Sequence, residues 1–312
     1  MSKLLVIFGA TGQQGGAIIN TVLADRELSK RYTLRGITRD PSAPAATALT
    51  ARGVEMTRGD ADDPSSLTSA LRGAHTVFAL TATIYRDGGE TKTREVTQGK
   101  AIADAAVAAG AQYLIFSTLP HVAAISRGKY TGVDHFDGKA DVEGYIRGLP
   151  IASAFFAPGS FMQNFHAGMG PRPAGDGTYV LANVVAPQTR LPLIDTAADA
   201  GKFVGAILAD PDKYKGEVFC AATRLYSYSE IVEVMSKATG KTVAYMQIPV
   251  DAFKAHLPPA MAGPLVEMLQ YFQDFDYYGP DSAERIAWAV ANARGSVTSF
   301  EEYLAKNPLA LQ

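Results

Sequence analysis

The stretch LLVIFGATGQQGG, residues 4–16, decides the fold. Residues 4–8 are continuously apolar, as expected of a strand buried on both faces of a parallel sheet. Gly9, Gly12 and Gly15 follow at GxxGxxG spacing, and residues 17–23 read as a helix with its apolar positions on one side. In such a strand–turn–helix the first glycine permits the sharp turn. The second lets a diphosphate approach the backbone, and the third lets helix and strand pack closely. The helix N-terminus supplies unpaired N–H groups and partial positive charge. Three glycines alone say little; placed between a buried strand and a helix, they predict a dinucleotide site. The alternative is a glycine turn with no ligand.

Outward from this stretch, strand-like segments recur at 33–38, 53–60, 75–81, 111–118 and 150–159. Helical segments separate them, among them 94–109, 134–147 and one starting at Asp63-Pro64. Parallel strands need crossover helices, so this alternation predicts an α/β fold with a doubly wound parallel sheet. The rhythm weakens after Gly159. Residues 160–190 are rich in Gly, Pro and Asn; 196–208 and 229–238 read as helices, 242–248 as a strand. The expected organisation is a nucleotide-binding domain over 1–155 and a smaller α+β domain over 156–312, partly interleaved with the first. The tract 253–278 is helical and dense in aromatics and Met, which suits either core or the wall of an apolar pocket.

Of 312 residues, 47% are hydrophobic and 19% charged, and 29 Lys+Arg against 31 Asp+Glu leave a net charge of −2 with no block of either sign. A nucleic-acid binder needs a basic face to displace counterions, so direct nucleic-acid binding is not expected. The single Cys220 excludes an internal disulfide and a multi-thiolate zinc site, and the scattered histidines lack ligand spacing, so no metal is expected. The opening apolar run breaks at Gly9, too early for a signal peptide, and no stretch approaches a membrane span. A cytoplasmic location is expected, with the nucleus also open.

The end of the second strand selects between dinucleotides. NAD sites place an acid there for the ribose hydroxyl, whereas this chain has Thr38-Arg39. Arg pairs bidentately with a 2′-phosphate, so NADP(H) is favoured, with NAD(H) the alternative should Asp40 take the ribose. Asp60, at the end of the third strand, suits either the adenine amino group or, with Asp62 and Asp63, a helix cap.

These residues carry a resemblance. FGATGQQGG (8–16), ITRDP (37–41), GDADDPSSL (59–67), EVTQGK (95–100), HFDGKADVEGYIR (135–147), SFMQN (160–164) and DPDKYKGEVF (210–219) resemble the NmrA-like family, atypical relatives of the short-chain dehydrogenases. The resemblance implies a Rossmann-type fold binding NADP(H). It implies Gly9, Thr11, Gly12, Gln13 and Gln14 at the phosphates, Arg39 at the 2′-phosphate, and Thr81, Ala82 and Thr83 at the fourth strand's end. It further implies Lys139 at the nicotinamide ribose and Phe161, Met162, Gln163 and Asn164 along the nicotinamide. Two positions depart from relatives that carry basic residues there: Ala43 and Thr97.

Short-chain dehydrogenases place a proton-donating Tyr one helical turn before their Lys, so that both reach one face. Here Lys139 is preceded at that distance by His135. Imidazole can donate protons near neutral pH, and the alternative is that His135 only packs beside the ribose. Ser117, Tyr130 and Tyr145 lack the spacing. Two readings therefore stand: a cofactor sensor or regulator acting through a protein partner, and an NADPH-dependent reductase of a small apolar carbonyl or imine substrate.

Overall fold

The structure, a computed structural model, describes residues 2–86 and 90–311. Its large sheet contains β1 (Lys3–Ile7), β2 (Tyr32–Thr38), β3 (Glu55–Arg58), β4 (Thr76–Ala79), β5 (Tyr113–Ser117), β6 (Ala152–Pro158) and β7 (Val218–Ala221). All seven pair in parallel, in the order β7-β6-β5-β4-β1-β2-β3. The chain winds outward from β1 through β2 to β3, returns to β4 on the other side of β1, and winds outward again. The winding reverses between β1 and β4, and that is where doubly wound sheets open a crevice at their strand ends.

Residues 4–8 are uninterruptedly apolar because both faces of β1 are covered. Leu5 and Ile7 pack in a layer with Ile18 of α1 (Gln13–Ala24) and Phe203 of a helix at Thr196–Ala209. Val6 and Phe8 face the opposite layer, with Ile102 of α2 (Glu90–Ala108) and Val142 of α3 (Asp134–Arg147). All five of residues 4–8 except Leu4 are buried.

The second half contributes two three-stranded sheets. One joins Arg224–Ser227, Arg190–Ile194 and Ser160–Phe161; the other joins Val243–Gln247, Tyr179–Asn183 and Arg172–Pro173. Helix starts there are chemically marked: Ser227 and Ser299 form capping boxes with Glu230 and Glu302. From the second half of the chain, Thr196–Ala209 packs on the large sheet and β7 joins its edge. The expected boundary at 155 falls inside β6, which runs to Pro158. The aromatic tract is largely core: Val266, Leu269, Tyr271 and Phe272 of α4 (Pro259–Phe275) are buried. The Phe272 and Tyr277 rings pack on Phe136 of α3 at 5.9 and 5.3 Å.

Candidate functional site: the crevice between the first and fourth strands

The chain turns out of β1 at Gly9, whose φ of +63° is readily open only to glycine. The Gly12 N–H donates to the Gly9 carbonyl at 2.9 Å, closing the turn. A Cβ on Gly15 would lie 2.3 Å from the Gly9 oxygen, so only glycine lets α1 start this close to the strand. Gly12 occupies the N-cap position with no side-chain cap, and Thr11, Gly12 and Gln13 are exposed. The first turn of α1 therefore presents N–H groups and the positive end of its dipole to the crevice. Gln14 is anchored from β5, where the Ser117 hydroxyl donates to its Oε1 at 2.8 Å.

At the end of β2, Arg39 is exposed and forms no ion pair among the described residues. The neighbouring Asp40 is engaged locally: its Oδ1 accepts the N–H and hydroxyl of Ser42 at 2.8 and 2.6 Å, and that hydroxyl contact holds its carboxyl below the usual range. The cation is free and the carboxylate is occupied, a pattern that suits a phosphate. Asp60, half-buried after β3, accepts the Asp62 N–H at 3.0 Å. Asp62 pairs with Arg94 and accepts Gln98 at 2.7 Å, and Asp63 takes the N-cap position of the helix Pro64–Ala70.

Beyond β4 lies a buried polar cluster. Lys139 forms an ion pair with Glu95 of α2, whose side chain is 1% exposed. Its Nζ also donates to the Thr81 carbonyl and hydroxyl at 3.3 and 3.1 Å and to the Thr83 hydroxyl at 3.4 Å. Thr81 and Thr83 donate in turn to the two Glu95 oxygens, at 2.7 and 2.5 Å. Burial pulls the Lys139 ammonium below its ordinary range, with the Glu95 charge opposing it. Ala82 between the threonines is exposed.

His135 lies on the same face of α3. Burial, with the Lys139 charge second, pushes its pKa down to about 3. The ring stays neutral at physiological pH, and its Nδ1 is buried with no hydrogen-bond partner among the described residues. It packs edge-on against Tyr85, centroids 5.2 Å apart, and burial raises that phenol to about 12. Sequence reasoning missed both Glu95 and Tyr85. The EVTQGK match contains Glu95, but nothing local says that its carboxylate meets Lys139, 44 residues on.

Other candidates have their partners outside this cluster. The Tyr130 hydroxyl donates to Asp274 at 2.6 Å and that of Tyr145 to Asp104 at 2.6 Å. Phe161 pairs with Ile194 in a short parallel ladder, and Met162 is fully buried in the second-half core. Gln163 donates to Asp195 at 2.7 Å, while the Asn164 carbonyl closes the following turn by accepting from Ala167 and Met169. Cys220 is buried, and its thiol is pushed up to about 12. Among the described residues no group of three or more His, Cys, Asp or Glu is placed to hold a metal, and no helix is long and apolar enough to cross a membrane.

The model of the NmrA-like family matches residues 1–304. The chain belongs to the NmrA-like family. An NmrA-like family domain-containing protein of Dictyostelium discoideum is 29% identical over 98% of both chains. The NmrA-like oxidoreductase malD of Malbranchea aurantiaca is 26% identical, covering 97% of this chain and 96% of its own. Among solved structures, NmrA, described as a negative transcriptional regulator in complex with NADP, superposes with a TM-score of 0.82 at 23% identity, covering 99% of this chain and 98% of its own. The Citrobacter triphenylmethane reductase complexed with NADP(H) does so at 0.77 and 18%, covering 99% and 100%. These likenesses place the chain in the Rossmann class of NmrA.

Proposed function

We propose that this chain binds NADP(H) in the β1–β4 crevice and acts as a cofactor-responsive regulator of a protein partner, in the cytoplasm or nucleus. Residues 9–15 fit a diphosphate, because α1 is uncapped and Gly15 keeps its start against β1. Arg39 would hold the 2′-phosphate, and Lys139, with Thr81 to Thr83, Phe161, Gln163 and Asn164, would border the nicotinamide half. The bound nucleotide would supply hydride-transfer chemistry; this chain's residues supply binding and orientation. The observation that carries the regulatory reading is position 135. A neutral imidazole with a pKa of about 3 is no proton donor at neutral pH, and the Lys139 charge beside it is already compensated by Glu95.

The second reading, an NADPH-dependent reductase, is favoured by the naming of curated relatives as oxidoreductases. It is narrowed by the same observation. An imine protonated in solution accepts hydride without a protein acid, so it suits this site better than a carbonyl. Calorimetric titration with NADPH, NADP, NADH and NAD tests the cofactor. The phosphorylated pair should bind at least about ten-fold more tightly, about 1.4 kcal/mol, and Arg39→Ala should erase that margin. Binding of none would overturn both readings. Turnover of NADPH with small imines would favour the reductase.

A further inference from the structure

Glu95 is absent from the residues expected at the site, yet the site's polar groups converge on it. Its carboxylate accepts Thr81 and Thr83 from the loop after β4 and pairs with Lys139 of α3, so one group joins three segments. We propose that Glu95 is the positioning residue of the crevice, holding Lys139 as a fixed ammonium and the 81–83 loop beside it for the dinucleotide to meet. This rests on the NADP(H) reading above.

The argument is one of donor counts and desolvation. An ammonium has three N–H donors, and Lys139 has four oxygen contacts, from Glu95, both Thr81 oxygens and Thr83. A nucleotide hydroxyl can displace a threonine contact at small cost. It cannot replace Glu95, because only the carboxylate opposes the burial that favours neutral amine. Thr118 closes the cluster from β5's end, its hydroxyl reaching the Lys139 carbonyl at 3.5 Å. The titratable groups that feel the pair are His135, beside the Lys139 charge, and Tyr85, beside that of Glu95; Asp134, Asp137 and Asp141 share α3 with Lys139, and Lys92 and Arg94 share α2 with Glu95. Lys92 is paired with Asp141 at 2.9 Å, Arg94 with Asp62, and His121 packs on Asp137 and Asp141 at 3.1 and 3.3 Å. His135 and Tyr85 hold their neutral forms well past neutral pH, titrating at about 3 and about 12.

The test is the pH profile of NADPH affinity in Glu95→Gln, by calorimetry from about pH 7 to about 9.5, above the 2′-phosphate titration near 6. Wild type should vary over this range by less than the Glu95→Gln variant does. Glu95→Gln should weaken at least about ten-fold as the uncompensated amine loses its proton, and Glu95→Gln/Lys139→Met should lose that slope. Glu95→Asp keeps the charge and shortens the reach. It should keep the wild-type pH profile at reduced affinity, and it carries the test should Glu95→Gln not fold. A flat Glu95→Gln profile, a slope that survives in the double variant, or Glu95→Asp identical to wild type would overturn the proposal. Wild type that binds no NADPH overturns the cofactor reading instead and takes this role with it. A purely structural Glu95 would lower stability without producing a slope.

Discussion

At the glycine end of the crevice α1 begins uncapped, and Arg39 stands exposed with no ion pair among the described residues. On the far side of β4 the donors of Lys139 are all engaged by Glu95, Thr81 and Thr83. The first region leaves donors open for an anion; the second is neutral and satisfied before any ligand arrives. Unmet donors mark where binding free energy is to be gained, so the phosphates should dominate affinity. The satisfied cluster instead fixes geometry around the nicotinamide half, and changes there should register first as stability or pH dependence.

The largest effect that would break this contrast comes from Lys139→Met. It strands a buried carboxylate with only two hydroxyls, and losing one partner of a buried pair costs about 3–5 kcal/mol. Urea denaturation at neutral pH reads it directly. Wild-type stability in this variant would mean that the cluster is not the self-satisfied unit described above. Gly15→Ala probes the open end. Its new Cβ would lie 2.3 Å from the Gly9 carbonyl oxygen, a backbone atom with little freedom to move. Overpacking of this kind costs about 1–3 kcal/mol. Since the shift displaces α1's first turn, NADPH affinity should fall along with stability. A Gly15→Ala protein that binds NADPH normally would remove the close strand–helix start from the account.

The same contrast explains what could be read from the sequence. The turn at Gly9, the helix start and β1 lie within about twenty consecutive residues, where steric demands translate into residue types. The parallel, doubly wound sheet followed from the alternation, its strand order did not, and Arg39 was named from its place after β2. The Lys139 cluster is legible only in part, because its bonds join residues 58 and 44 apart, and threonine and glutamate carry no spacing signature. The strand β7 was hidden for a related reason: EVFCAA reads as a short apolar run, and nothing local says that it adds parallel to β6. His135 could be named as the residue replacing tyrosine. Its neutrality could not, since that comes from burial under Tyr85 and beside Phe136.

The smallest effect concerns that histidine and sharpens the satisfied end of the comparison. In the unfolded chain an imidazole takes up a proton near 6.5, whereas folded His135 does so only at about 3. Between those values the unfolded state holds a proton that the folded state lacks. Stability must therefore fall as pH falls through this window, by up to about 1.4 kcal/mol per unit, and the contribution is flat above it. Burial lowers His75 and His166 as well, so the informative quantity is the difference between wild type and His135→Gln. Urea denaturation at pH 7.5 and near 5.5 should show wild type losing about 1.4 kcal/mol more than the variant. Equal losses would mean that His135 can charge in place, and a ring that charges there becomes a competent proton donor. The regulatory reading would then give way to the reductase.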